Sequence, residues 1–495
     1  MWGRRSRGAA RSRRAAGDDK GGRVSDLVNR FLNFKRGEVP LAVTAALFYF
    51  LVLCGYYFLR PVREAMGVSR GMDSLYMLWV GTLIASFAIV MLFGDVVSRL
   101  DRRRFIPIGY LFVIGCLGVF SVLLITDAAA GGGLIGTDSE TAVAIGVGYT
   151  FYIWLSVINL FVNALFWAFM VDVFDTDQGK RMFAFIGIGG TLGAIVGGWA
   201  ANVISGATDS VYLPAGLMLI GAALFGVAIL TMLTLDRMAI ASEHSRLTTD
   251  RPTADKPKGE KIGGNYWDGV TAVAKSPYLL GIGGFIMLMA VSNTLIYFTQ
   301  ANVILDNTDT FSQRVGSFAA FDMAAQIATL ITQIFITTHL IRKLGVGWTL
   351  SILPLVTLAG FAVLAIWPLY GVMMVFAALH RATRYAISRP ARETLFSVVS
   401  PAEKYKAKPL VDVFIYRVGD MTGLGLEVSL KAIGLGLVGV AAAAVPVAAG
   451  WTALCLWLGR EQQRRERAGE GAEQAAPAAR GTPLPIGRVA PGEQG

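Results

Sequence analysis

The chain consists largely of apolar runs that are each long enough to cross a lipid bilayer. A membrane-spanning helix needs about 20 mostly apolar residues, and the sequence holds about twelve such runs. Charged residues make up only 16% of the chain, against roughly 25% in a soluble domain. We therefore predict an all-α membrane protein of about twelve transmembrane helices. The runs are 41–59, 75–94, 105–126, 142–170, 183–204, 211–235, 278–299, 315–341, 346–366, 370–388, 409–429 and 433–458.

A polar segment at residues 236–276 separates the first six runs from the last six. This order predicts two six-helix halves, 41–235 and 277–459, joined by a cytoplasmic linker. Residues 1–40 are rich in Arg, and residues 460–495 are rich in Arg, Glu, Ala, Pro and Gly. Both ends are predicted to be cytoplasmic tails, the second one disordered, and we expect a monomer.

The basic residues predict the orientation in the membrane. Lys and Arg follow the even-numbered runs, while the loops after the third, fifth and ninth runs carry none. The positive-inside rule then predicts that both termini are cytoplasmic. We also expect the membrane to be a bacterial inner membrane. Two basic segments, Gly94–Arg104 and Thr338–Gly347, resemble the loop between the second and third helix of each half in the major facilitator superfamily. That resemblance implies a major facilitator-like fold.

Composition and spacing argue against several other functions. The net charge of +11 suggests nucleic-acid binding, but the charge lies mostly in loops and tails, so no nucleic-acid partner is predicted. The three cysteines and three histidines are scattered, which predicts neither disulfide nor metal site. No catalytic pattern or cofactor motif is found, so an enzyme is not predicted. The stretch Gly187–Gly198 lacks the features of a phosphate loop and indicates close helix packing.

The motif R-P-x-R-E occurs twice, in "YFLRPVREAMG" (Tyr57–Gly67) and in "YAISRPARETLF" (Tyr385–Phe396). Proline disfavours helical geometry in the residue before it, so each copy predicts a kink or a helix end. If the helix resumes, the first arginine pairs with the glutamate four residues later. The second arginine has no partner inside its motif and is predicted to face a negative ligand. In order, the arginines are Arg60, Arg63, Arg389 and Arg392, and the glutamates are Glu64 and Glu393.

Cations within apolar runs are costly and indicate functional sites. In the tenth run, His380, Arg381 and Arg384 are predicted to lie roughly 15–21 Å below the membrane surface. A spacing of four places His380, Arg384, Ser388 and Arg392 on one helix face. An alternative is that these arginines only anchor the helix at the inner leaflet. The arginines of the first run fall near the outer side, where the positive-inside rule predicts few cations.

Polar residues also form stripes along several runs, which indicates that these faces point into the bundle. Some of these residues are expected to make only hydrogen bonds between helices. Arg417 and Asp420 are expected to form an ion pair, which either opens and closes or is static. The predicted substrate-binding residues are Arg60, Arg63, Arg381, Arg384, Arg392, Asn163, Tyr297 and Gln300. The predicted coupling or gating residues are Glu64, Asp322, Glu393, Asp412, Arg417 and Asp420.

Four stretches resemble the nucleotide exchange translocases of plastids and obligate intracellular bacteria. They are "YFLRPVRE" (Tyr57–Glu64), "FWAFMVDVFDTDQGKRMF" (Phe166–Phe183), Arg392 with Glu393, and "KAKPLVDVFIYRVG" (Lys406–Gly419), the last of which is the most specific. The resemblance implies exchange of ATP for ADP, with Arg63 and Arg392 at the positions of two family lysines. This chain departs from the family at Gln178, Thr299, Gln300 and Asp420.

These observations predict a secondary transporter of a small anionic solute, with nucleotide exchange by alternating access as the leading hypothesis. Arginine binds phosphate through two parallel hydrogen bonds, which suits such a substrate. Two alternatives remain open at this point. The chain is either a transporter of another phosphorylated or carboxylate solute, or a non-transporting membrane scaffold or sensor with the same fold.

Overall fold

The protein was analysed as a computed structural model, which is helical throughout its described part. It describes residues 38–99, 102–131, 142–174, 176–247, 271, 273–400, 403, 407–408, 410–435 and 437–479. Within these ranges there is no β-strand. The predicted all-α fold is therefore confirmed. The predicted tail 1–40 and linker 236–276 fall largely outside the described residues, and the division into halves stays a prediction. The predicted disorder of 460–495 is not found in residues 460–479, because the helix Leu437–Ala479 runs through them and Gln462 donates a hydrogen bond to the carbonyl of Thr394.

Helices occupy each of the twelve apolar runs. Nine of the described helices are long and apolar enough to span a membrane. The first six are α1 (Glu38–Val68), α2 (Met72–Arg99), α3 (Arg102–Ala129), α4 (Ala142–Val173), α5 (Thr176–Ala207) and α6 (Leu213–Leu247). They are followed by α7 (Pro277–Asp306), α8 (Phe311–Phe335), α9 (Thr337–Ile366), α10 (Tyr370–Ala382), α11 (Arg389–Leu395), α12 (Tyr416–Ala432) and α13 (Leu437–Ala479).

Two π-helical segments interrupt the tenth and eleventh runs. The first, Thr383–Ser388, connects α10 to α11, and the second, Leu410–Ile415, leads into α12. In the first segment the backbone N–H of Arg389 donates to the carbonyl of Arg384, five residues back. The next residue, Pro390, has no N–H to donate to an earlier carbonyl, which favours such an irregular turn. Inserted π turns are frequent at functional sites.

The chain forms two compact units that interleave in sequence. Unit 1 comprises residues 1–259 together with Tyr297–Leu330 and Leu369–Leu379. Unit 2 comprises Glu260–Ile296, Ile331–Pro368 and residues 380–495. The helix α7 therefore contributes its first part to unit 2 and its last part to unit 1.

In unit 1, three glycines of α5 bring its backbone against α1. A Cβ atom built on Gly189, Gly193 or Gly197 would lie within 2.5 Å of a backbone carbonyl oxygen of α1. These glycines recur every four residues and so form one groove along α5. The prediction that Gly187–Gly198 serves helix packing is confirmed. This packing fixes the position of α1, which carries Arg60 and Arg63.

In unit 2, two glycines of α12 give the same kind of close approach to α7. A Cβ atom on Gly419 would lie 2.8 Å from the carbonyl oxygen of Met287, and one on Gly423 would lie 3.0 Å from that of Val291. A core of apolar side chains from α7, α9, α11 and α13 surrounds the buried ring of Trp451. The face of α12 that lies on α7 therefore carries Asp420, which is 2% exposed.

Candidate functional site

Among the residues that the structure describes, only neutral groups lie within ion-pair distance of the Arg384 guanidinium. It lies in the first π segment, and its Nη2 donates to the hydroxyl of Tyr416 at 2.9 Å. Its Nη1 donates to the side-chain oxygen of Asn293. The guanidinium lies 4.8 Å from the ring centre of Tyr385 and 5.7 Å from that of Tyr416. Rings at this distance attract a cation without neutralising it.

The π segment changes which residues share a face with Arg384. The sequence spacing predicts that His380, Arg384, Ser388 and Arg392 lie on one face, and this prediction is wrong for Arg392. A π turn adds one residue, which rotates the following side chains by about 100° around the axis. Accordingly, Arg392 contacts Asp412 and Glu393 rather than the partners of Arg384.

Two buried polar atoms in the same stretch remain unused. The hydroxyl of Ser388 and the Nε of Arg392 have no hydrogen-bond partner among the described residues. Buried polar groups in proteins are nearly always hydrogen-bonded to protein, water or ligand. These two atoms therefore offer hydrogen bonds to a bound molecule or to water.

Arg392, Glu393, Lys408 and Asp412 form an ion-pair network beside the second π segment. The Nη2 of Arg392 lies 3.4 Å from carboxylate oxygens of both Glu393 and Asp412, and Lys408 contacts Glu393 at 2.6 Å. Burial raises the pKa of Glu393, but Lys408 and Arg392 lower it more, so the net pKa lies below its ordinary value. The predicted pair between Arg389 and Glu393 is replaced by these contacts, and Arg389 is exposed.

On α12, the predicted pair of Arg417 with Asp420 is confirmed. The two side chains lie 3.1 Å apart, and Asp420 also accepts a hydrogen bond from Thr294 of α7 at 3.2 Å. Among the described residues of this group, Arg392, Lys408 and Arg417 are in ion-pair contact with acids. Arg384 is not, and Asp420 acts on it only from beyond ion-pair distance. The charge of Arg384 remains available to an anion.

In unit 1, the arginines of the first motif are paired with carboxylates. Arg60 lies 2.8 Å from Asp322 of α8 and 3.5 Å from Glu64, while Arg63 also contacts Glu64. The predicted pair of Arg60 with Glu64 is confirmed. The expectation that the second arginine of each motif lacks a partner inside it is wrong, because these long side chains reach the neighbouring glutamate.

The helix α1 continues through the proline of this motif to Val68. The helix therefore does not end at Arg60, and the motif lies in a regular helix rather than at its end. The two copies of R-P-x-R-E thus differ locally, since a π segment precedes only the second one.

Hydroxyl groups also contact the cluster that Arg60, Arg63, Glu64 and Asp322 form in unit 1. The hydroxyl of Tyr297 donates to Glu64 at 2.6 Å and lies 3.0 Å from the hydroxyl of Tyr152 on α4. Arg63 donates to Ser156 at 3.1 Å, and its guanidinium lies 5.3 Å from the ring centre of Tyr152. Four helices, α1, α4, α7 and α8, therefore meet at these charges.

The remaining predicted residues occupy separate places. Asn163 accepts a hydrogen bond from Tyr49 at 3.2 Å and donates to Asn159, in a cluster where Tyr49 stacks on Phe166. Gln300 is buried in α7, and Arg381 lies partly buried in the last turn of α10. Among the described residues, no hydrogen bond joins Asn163 to either arginine cluster, and Arg381 acts electrostatically on His380 together with Arg384.

Sequence reasoning missed several residues of both clusters. Tyr152 and Ser156 are one helical turn apart in an apolar run, and this pair of hydroxyls was the available signal. Lys408 is one of the basic residues that follow the tenth run, and the sequence does not predict its contact with Glu393. Asn293 lies in an apolar run, and nothing in the sequence points to its contact with Arg384.

The sequence of this chain is similar to that of a known protein family. A sequence model of the TLC ATP/ADP transporter family matches residues 19–370, which is more than half of the chain. The ADP,ATP carrier protein 1 of Chlamydia pneumoniae is 23% identical over 307 residues, which cover 56% of this chain and 58% of that protein. The plastidic ATP/ADP-transporter of Solanum tuberosum is 21% identical over 291 residues, covering 55% of this chain and 45% of that protein.

The chain thus spans about half the length of these relatives. Among solved structures, a crystal structure of a mutant of the nucleoside transporter NupG superposes with a TM-score of 0.53 at 16% identity. That match covers 85% of this chain and 99% of NupG. At this identity the similarity concerns the fold alone, and it agrees with the predicted major facilitator-like architecture.

Proposed function

Because the chain belongs to the TLC ATP/ADP transporter family, we propose that it exchanges anionic nucleotides of the ATP/ADP type across a membrane by alternating access. The chain is an integral membrane protein with apolar helices of spanning length. The proposal adds the solute, the exchange mode and the bacterial inner membrane with both termini in the cytoplasm. Its relatives are named as ATP and ADP carriers, which supports this choice of solute.

One observation carries the proposal, namely that only neutral side chains contact Arg384 among the described residues. This cation lies within an apolar helical run, and no carboxylate lies within ion-pair distance among the described residues. An arginine at the centre of a membrane helix costs about 2.5–3.5 kcal/mol on insertion scales. An anionic solute offsets that cost when it binds. A guanidinium can donate two parallel hydrogen bonds to a phosphate group.

The neighbouring residues position this guanidinium and supply further donors. Asn293 and Tyr416 fix its orientation through hydrogen bonds, and the rings of Tyr385 and Tyr416 provide flat surfaces beside it. The unused Ser388 hydroxyl and Arg392 Nε provide two more donors in the same stretch of chain. The π segment turns Arg392 to another face than that of Arg384, so in this proposal its Nε binds a different part of the anion while Asp412 holds its Nη2.

Uptake of labelled ATP into vesicles containing the purified protein tests this function. Vesicles loaded with ADP are compared with vesicles loaded with buffer, inorganic phosphate or citrate. We expect uptake into ADP-loaded vesicles to exceed uptake into buffer-loaded vesicles by about tenfold or more, because the empty carrier must reorient while Arg384 has no anion in direct contact. Unlabelled adenosine, which lacks phosphate, should not compete. Uptake that responds only to phosphate or citrate would instead identify a transporter of another solute.

A non-transporting scaffold is the second candidate, and one observation favours it. Arg60 and Arg63 are engaged by the acids Glu64 and Asp322, as expected of static ion pairs. If the protein is a scaffold, vesicles take up no labelled ATP whatever solute they are loaded with. In that case ATP, ADP, phosphate and citrate also leave the thermal unfolding temperature unchanged. A transporter is expected to unfold at a higher temperature with its solute present.

A further inference from the structure

The ion pairs of unit 1 join α1 to two helices from the second half of the sequence. Arg60 contacts Asp322 on α8 at 2.8 Å, and the Tyr297 hydroxyl on α7 donates to Glu64 at 2.6 Å. The side chains of Arg60 and Asp322 are 17% and 3% exposed. A pair this well shielded resists separation more than a surface ion pair does.

Other contacts follow the same seam between the helices. Asn202 of α5 donates to the carbonyl oxygen of Gly316 on α8 at 2.8 Å. Arg314 donates to Ser69, which follows α1, at 3.3 Å. A Cβ atom on Gly198 would lie 3.4 Å from the carbonyl oxygen of Ala319. The end of α1 and the first part of α8 are therefore closed against each other. The predicted orientation puts this contact at the extracytoplasmic side.

The charges of this cluster are balanced only while α8 is in place. Arg60, Arg63 and Glu64 all lie on α1, whereas Asp322 lies on α8. If α1 and α8 separate, the two arginines share one carboxylate and carry a net positive charge. The buried Nε of Arg63 also has no hydrogen-bond partner among the described residues. An oxyanion that replaced the carboxylate of Asp322 would restore the balance.

We infer that Arg60 and Arg63 form a second binding site for a phosphate-type oxyanion, and that the carboxylate of Asp322 occupies this site while α1 and α8 are closed. The inference rests on the proposed function, since it assumes that the two helices separate during transport. Asp322 then acts as a latch that an incoming anion replaces. Ser156 and Tyr152 contact Arg63 and position its guanidinium for that anion.

The latch is tested in a Gly198→Cys variant by the rate at which a thiol reagent labels the introduced cysteine. The three native cysteines are first replaced by alanine, and a membrane-impermeant reagent is applied to vesicles. We expect Asp322→Asn to raise the labelling rate by about tenfold or more, because it breaks a shielded ion pair. Arg60→Gln removes the other partner of the ion pair and should raise the labelling rate by the same factor. The double variant should label little faster than either single variant. Asp306→Asn, an exposed acid at the end of α7, is the matched control.

The anion site is tested separately by thermal unfolding of purified protein with inorganic phosphate. Phosphate should raise the unfolding temperature of the Asp322→Asn variant by several degrees more than that of the parent chain. Adding Arg60→Gln should remove this gain. An equal effect of phosphate on all three proteins would contradict the site.

Neither test measures transport, so the two proposals fail separately. If Asp322→Asn and Arg60→Gln both label at the parent rate while ATP exchange proceeds, the latch is wrong and the proposed function stands. If both variants label faster and phosphate stabilises Asp322→Asn, but no vesicle supports ATP uptake, the latch stands and nucleotide exchange is wrong.

Discussion

At the scale of residues, the two arginine clusters differ in their partners. Arg60 and Arg63 are matched by carboxylates, whereas Arg384 is held by an amide and two phenol side chains. A guanidinium with neutral partners keeps its charge for a ligand, and a guanidinium with acidic partners has that charge satisfied. The first arrangement suits solute binding, and the second suits closing contacts between helices.

The hydroxyl of Tyr416 is predicted to position Arg384 for the solute. Tyr416→Phe keeps the ring beside the guanidinium but removes the hydrogen-bond acceptor. Hydrogen bonds to charged groups contribute about 1.5–3 kcal/mol, so we expect the apparent KM for ATP to rise about tenfold with a smaller change in kcat.

Measured exchange kinetics of Tyr416→Phe and Tyr416→Ala check this expectation. The alanine variant should be weaker still, because it also removes the ring. Tyr212→Phe, at an exposed tyrosine, is the control. A KM for Tyr416→Phe equal to that of the parent would show that this hydroxyl does not position the site.

At the scale of elements, close helix packing holds each cluster in place. The glycines of α5 admit the backbone of α1, and those of α12 admit the backbone of α7. In both units the arginines therefore lie on or beside helices whose separation is set by glycine. Interruption of the helix by a π turn then selects which side chains face the same way.

Gly193→Ala is predicted to destabilise the protein. Its Cβ atom would lie 2.1 Å from the carbonyl oxygen of Phe50, so α1 and α5 must move apart. Overpacking of this kind costs about 1–3 kcal/mol, and we expect the unfolding temperature in detergent to fall by several degrees.

Gly187→Ala on the same helix is the control, because nothing lies within 4 Å of its Cβ position. It should be neutral or slightly stabilising, since alanine favours helix over glycine. Equal unfolding temperatures for the two variants would argue against the glycine groove.

The sequence predicts elements better than it predicts contacts. Apolar runs of about 20 residues locate the helices because the bilayer imposes that length. The pairs of Arg60 with Glu64 and of Arg417 with Asp420 follow from helical spacing alone. The contact of Arg60 with Asp322 joins residues 262 positions apart, and local spacing carries no information about it.

The π segment shows a further limit of sequence reasoning. Regular spacing predicts one face for Arg384 and Arg392, but one added residue per turn changes that face. Pro390 indicates a local irregularity without specifying its kind. The tertiary partners of both arginines could therefore not be derived from the motif.

At the scale of the whole molecule, charge balance links solute binding to exchange. An empty carrier holds Arg384 within an apolar run without an acid in ion-pair contact, and moving it through a closed state is costly. A bound nucleotide removes that cost in both directions of transport. Exchange of one anion for another is therefore expected to be faster than net uptake.

Calorimetric binding of ADP to the purified protein tests the central claim about Arg384 most directly. We predict that the parent chain and Arg389→Ala, which alters an exposed arginine five positions away, bind ADP with similar affinity. Arg384→Ala should weaken binding by about 100-fold, since a charge-assisted pair of hydrogen bonds is lost. ADP binding by Arg384→Ala at the parent affinity would contradict the account.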